Sequence, residues 1–237
     1  MKHARLISVA ALAASVVAAG HASAATKKPK PKPIPPVCNL VTDVPGDANG
    51  VNLNQSPLPT LPTTTAGSSD DALDVLSVDV ATNNTTITAV LRLKKLAATS
   101  TNAPSGMTWS ATFKVDTTTF YLAAHANAQG AITYDAAYAS TAGGNLLADS
   151  PTGSFDPGKG EIHISLPVAA MAKQAVIKPG TKITAIGATT GPEALVPDAT
   201  GLFGGGTFFS DSWNTVDAAS GGKDYVSGTK SCVTPGK

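Results

Sequence analysis

Apolar residues recur at every second position through much of the chain between residues 76 and 188. Leu76, Val78 and Val80 alternate with Ser77 and Asp79, and Ile87, Ala89, Leu91 and Leu93 alternate with Thr88, Val90 and Arg92. Met107, Trp109, Ala111, Phe113 and Val115 alternate with Thr108, Ser110, Thr112 and Lys114. A period of two puts successive side chains on opposite faces, so each run predicts an antiparallel strand with one buried and one wet face. The same pattern predicts strands over 120–126, 131–138, 161–166, 181–188 and 224–228. Asn83-Asn84 stands between the first two runs, where a hairpin turn belongs. Pro167 opens a stretch to Gln174 that predicts one short helix, since proline suits a first helical position. The Gly-rich stretch from Pro192 to Ser210 predicts a long irregular loop. Eight strands with turn punctuation predict an all-β fold, an antiparallel β-sandwich of jelly-roll type.

Composition sharpens this. Only 14% of residues are charged, whereas helical surfaces need Glu, Lys and Arg. The first 24 residues carry Lys2 and Arg5, then a nearly unbroken apolar run from Leu6 to Ala19, then Ala22-Ser23-Ala24. That order predicts a secretory signal peptide cleaved after Ala24, and the run falls short of the ~20 apolar residues of a membrane span. No later segment is long and apolar enough to span a bilayer. Residues 25–37 alternate lysine with proline, which predicts an extended, solvated linker attracted at most weakly to anionic wall polymer or lipid headgroups. The remainder, 38–237, has the length of one sandwich domain.

Setting aside the basic residues of leader and linker leaves 11 basic against 16 acidic residues, a net charge of −5. Nucleic-acid binding needs a basic face, so it is not expected, whereas a cation site is compatible. The two cysteines, Cys38 and Cys232, bracket the domain, and in an oxidising compartment such a pair predicts one disulfide. The localisation expected is secreted, with cell-wall association as an option.

Gly46 to Asn54 begins like a calcium loop, with Asp47 and Asn49 at the first and third places. An EF-hand then needs a glycine sixth and a bidentate acid twelfth, where this chain has Asn52 and Leu58. An Asp/Asn/Gly turn is the better account. A different set of carboxylates fits calcium: Asp43 and Asp47 after Cys38, Asp70, Asp71 and Asp74 before the first strong strand, and Asp211, Asp217 and Asp224 before Cys232. If a disulfide joins the ends, the first and last groups meet on neighbouring strands or loops, offering the oxygens Ca²⁺ takes. Solvated turn aspartates are the bland alternative.

No nucleophile elbow, zinc-protease helix or phosphate loop is present, and Glu161 and Glu193 are the only glutamates. No enzymatic activity is expected. His163 alternates with Ile162 and Ile164 and faces solvent; His125 shares a strand face with Tyr121 and Asn127 and is a candidate to line a site. Sugars stack on exposed aromatic faces, and the candidates are Tyr121, Tyr134, Tyr138, Phe208 and Trp213, with Trp109 assigned to the core. The stretches 38–48, 73–93, Phe120-Tyr121-Leu122 and 224–233 resemble secreted bacterial β-sandwich modules in the style of DOMON and family 9 carbohydrate-binding domains. That resemblance implies a module that binds sugars, calcium or haem, haem being poorly served by the methionines and histidines here. The expected function is a secreted, non-catalytic module that binds an extracellular glycan or cell-wall polymer and is stabilised by Ca²⁺. The alternative is a structural, wall-associated surface protein without a small-molecule ligand.

Overall fold

The computed structural model describes residues 36–51, 66–140, 143–192 and 217–236. The signal peptide, nearly all of the linker, the Gly-rich loop beyond Pro192, and Glu193, Phe208, Asp211 and Trp213 lie outside the described residues. Residues Ile34–Lys237 cluster as one compact unit.

Two antiparallel sheets face each other. The five-stranded sheet contains β1 (Val41–Thr42), β4 (Val75–Thr82), β5 (Thr86–Leu93), β10 (Thr152–Asp156) and β11 (Glu161–Pro167), in the order β1-β4-β5-β11-β10. The larger sheet contains β6 (Gly106–Val115), β7 (Thr118–Asn127), β8 (Ile132–Ser140), β9 (Gly143–Leu146), β12 (Lys182–Pro192), β13 (Asp217–Ala219) and β14 (Tyr225–Val226). Its order is β13-β12-β6-β7-β8-β9, with β14 also paired to β12. A small ribbon pairs β2 (Asn49–Val51) with β3 (Ala66–Ser69), and the helix α1 is one turn, Val168–Met171. Among the described residues no helix is long and apolar enough to cross a membrane.

The fold class is therefore the all-β sandwich that the alternating pattern predicts. This strand order makes two facing antiparallel sheets. All eight expected strands are present, as β4, β5, β6, β7, β8, β11, β12 and β14. The Asn83 turn forms because its side-chain Oδ1 accepts the N–H groups of Thr85 and Thr86, at 2.8 and 2.7 Å. Pro167 sits one residue before the expected place, as the N-cap of α1 with extended ψ of 131°.

Between the sheets lies a core built on Val78, Val80, Leu91, Ile162 and Ile164 from one side and Trp109, Phe113, Phe120 and Leu122 from the other, each buried. Trp109 is in that core as expected, and its indole N–H donates to Ala72 O at 2.7 Å. Phe155 of β10 meets the Trp109 ring at a centroid distance of 5.5 Å.

One expectation is corrected: the outer face of β4 and β5 is not wet, although that of β10 and β11 is. Asp79, Ala81, Thr88 and Val90 on that face are all inaccessible. The chain ends cover it. Leu40 N–H donates to Asp79 Oδ1 at 2.9 Å, and Gly236 N–H donates to Thr88 Oγ1 at 2.8 Å. Cys38 and Cys232 are joined as a disulfide, their Cα atoms 5.3 Å apart across a separation of 194 residues. Val37 forms a parallel bridge with Ser231 beside it, and Lys223 N–H donates to Leu40 O at 2.7 Å. Gly222 is required at this crossing, since a Cβ there would collide with the Leu40 carbonyl and the Val41 side chain.

Candidate metal site

Asp43 follows β1, and its N–H donates to Leu76 O at 3.0 Å, which fixes it beside β4. Asp47 lies in the turn four residues on and is exposed. Asp217 opens β13, pairs with Thr190 of β12, and reaches across to β4, where its Oδ2 accepts the Val75 N–H at 2.7 Å. Its Oδ1 accepts the Ala218 N–H at 2.8 Å. The three side chains each place an oxygen within 4.8 Å of the others. The sequence-based expectation that carboxylates from the two ends of the domain meet is realised by these three residues.

The group is acidic, and a cation would relieve it. Asp43 Oδ2 is shielded from solvent with no hydrogen-bond partner. Asp217 is only 6% exposed. Burial is the main cause pushing the Asp217 carboxyl up to about 6, against the Val75 N–H; the charges of Asp43 and Asp47 push the same way, against the Ala218 N–H. Hard oxygen donors suit a hard divalent cation, so the group could hold a metal ion.

A pH dependence follows. The folded chain holds the Asp217 proton more tightly than the unfolded chain, whose carboxyl has an ordinary value near 3.8. The stabilisation is thus fully present below pH ~4 and lost as pH rises through about 6. At 1.36 kcal/mol per pKa unit this is about 3 kcal/mol. In EDTA, Asp217→Asn should remove that dependence, whatever it costs by leaving one of the Val75 and Ala218 N–H groups without its acceptor. Urea unfolding at pH 4.5 and 7.5 measures it; parallel pH profiles for the two proteins would dismiss Asp217 as the titrating group.

The other predicted acids are employed elsewhere. Asp70 caps the turn before β4, its Oδ1 accepting Ala72 N–H at 2.9 Å and its Oδ2 the Ser100 hydroxyl. Asp71 pairs with Lys94 at 2.8 Å. Asp74, wholly buried, accepts Gly46 N–H at 2.6 Å through Oδ2, with Lys94 at 3.4 Å. These three brace the turn against its neighbours and are not part of the Asp43–Asp47–Asp217 group.

The aromatic candidates also separate. Tyr134 and Tyr138 pair across the sheet with Ala124 and Phe120, on the core side, and pack against the core half-buried. The Tyr134 ring lies over Gly153 of β10, where a Cβ would overlap it. The two tyrosines thus share the core-side face of β8, each keeping part of its ring accessible. Tyr121 is half-buried on the opposite face. His125 is on that face too, but it is 3% exposed rather than solvated. Its Nδ1 is 3.1 Å from Thr108 Oγ1 and its Nε2 3.0 Å from Asp135 Oδ2. His163 lies on the outer face of the five-stranded sheet, as expected, 3.1 Å from Glu161.

What sequence reasoning missed is an ion-pair ladder and a cleft. Arg92 links Asp79, at 2.6 Å, to Glu161, at 2.9 Å, across β4, β5 and β11. The only signal was one charged residue in each of three strands. The cleft lies between the turn at 70–72 and the loop at 94–102, and its signal was the polar run Thr99-Ser100-Thr101-Asn102. No family model, curated protein or solved structure matches the chain.

Proposed function

We propose that the chain is a non-catalytic β-sandwich module that works outside the cell, holds a Ca²⁺ ion at Asp43, Asp47 and Asp217, and binds an extracellular glycan or cell-wall polymer. The observation that carries this is the convergence of three carboxylates from the two ends of the domain, one of them with a solvent-shielded oxygen that no donor satisfies. Calcium bound there would replace like-charge repulsion with attraction and tie the segment after β1 to β13. The disulfide between the same two ends is in keeping with an oxidising compartment.

Thermal unfolding of the oxidised protein at pH 7.5, in EDTA and in excess Ca²⁺, tests the proposal. An ion that binds only the folded chain adds ~2.7 kcal/mol at a hundred times its Kd, or roughly 5–10 °C for a domain of this size. Asp217→Asn and Asp43→Asn should each abolish most of that rise. Identical midpoints in EDTA and Ca²⁺ would end the calcium part of the proposal.

A further inference from the structure

We propose that the cleft between the turn at 70–72 and the loop at 94–102 is the glycan site of this module, and that it takes a neutral, hydroxyl-rich sugar. The inference rests on the glycan part of the function proposed above and gives it a place and a ligand class. The cleft encloses about 530 Å³, within the range of small-molecule sites, and opens to solvent.

Its walls are built from the core outward. Trp109 holds the turn by its bond to Ala72 O. The loop is fastened to the turn by Lys95 N–H donating to Asp71 O at 3.0 Å and by the Ser100 hydroxyl donating to Asp70. Leu96 and Ala103, both buried, anchor the two ends of the loop. A cleft fixed in this way needs little ordering on binding.

The lining decides the ligand. It contains no aromatic ring and no large apolar side chain, so flat or greasy molecules gain nothing there. Asp70 and Asp71 are balanced by Lys94 and Lys95, so neither an anion nor a cation is favoured as a class. Lys94 is already bound to Asp71 and Asp74, whereas Lys95, exposed, makes no ion pair among the described residues. Thr99 and Thr101 add exposed hydroxyls that both donate and accept. A ligand matching ammonium donors, carboxylate acceptors and hydroxyls at close quarters is one whose own groups donate and accept, with no net charge. Adjacent sugar hydroxyls have that character.

Native gels cast with soluble galactomannan, xylan, dextran or the anionic polygalacturonate test this on the whole protein, alongside Lys95→Ala and Thr101→Val. At least one polymer should retard the wild type. Lys95→Ala should weaken that retardation tenfold or more, as loss of a charged hydrogen bond does. Thr101→Val should weaken it less, and both variants should melt within a few degrees of wild type. Retardation undiminished in both variants would overturn the cleft and leave glycan binding standing elsewhere. No retardation by any polymer would overturn both. Retardation by polygalacturonate alone would overturn the neutral class.

Discussion

Replacing both Cys38 and Cys232 with serine should cost the domain about 5 kcal/mol. The bridge closes a loop with a sequence separation of 194 residues. In the chain-entropy model the restriction it places on the unfolded state grows with the logarithm of loop length, which gives the ~5 kcal/mol figure. Total stabilities of ordinary domains run from ~5 to 15 kcal/mol, so this is a large share. Most of the effect lies in the unfolded chain, because the folded ends are also held by Val37 N–H to Lys230 O, at 3.0 Å, and Cys232 N–H to Val37 O, at 3.2 Å. Two readouts follow. The thermal midpoint should fall by roughly 10–20 °C. The urea m-value should rise, since the unfolded chain without its crosslink exposes more surface. A midpoint within a few degrees of wild type would mean that the crosslink restricts the unfolded chain far less than the entropy model requires.

The same terminal segments explain where the sequence was legible and where it was not. Alternation identified β6 and β7 because their pattern is local: Phe113 and Phe120 face inward whatever the rest of the chain does. It misjudged β4 and β5 because burial of their second face depends on chain ends far away in sequence. Leu40 reaches Asp79 over 39 residues, and Gly236 reaches Thr88 over 148. Val90, an apolar residue on the face assigned to solvent, was the local hint. Strands β1, β2, β3, β9, β10 and β13 were missed because two to five residues, several of them glycine or serine, cannot display a period. At the candidate metal site, pairing of the two cysteines was enough to place Asp43 and Asp47 near the acids before Cys232. It could not say which of the remaining acids would join, because Asp70, Asp71 and Asp74 are diverted by Ser100, Lys94 and Gly46, all partners fixed only in three dimensions.

Asp79→Ala should cost about 3–5 kcal/mol, the range for removing one partner of a buried ion pair. Asp79 is wholly buried on the covered face of the sheet and makes two separate bonds, one oxygen accepting Leu40 N–H and the other Arg92. Alanine orphans both donors at once. Arg92 keeps Glu161 at 2.9 Å and is 27% exposed, so its side chain can recover part of its hydration. The Leu40 N–H has no such escape, because Leu40 is 2% exposed. Asp79→Asn separates the two contributions. It keeps an acceptor for Leu40 but turns an amide NH2 toward Arg92, so it removes the ion pair alone and should cost less than alanine by the worth of the Leu40 bond. Urea unfolding of the two variants beside wild type, at pH 7.5 in EDTA, reads both losses. If alanine and asparagine prove equally costly, the ion pair with Arg92 carries the stability and the Leu40 bond carries none. If neither departs from wild type by more than ~0.5 kcal/mol, the carboxylate is not what seals the chain's ends against the sheet.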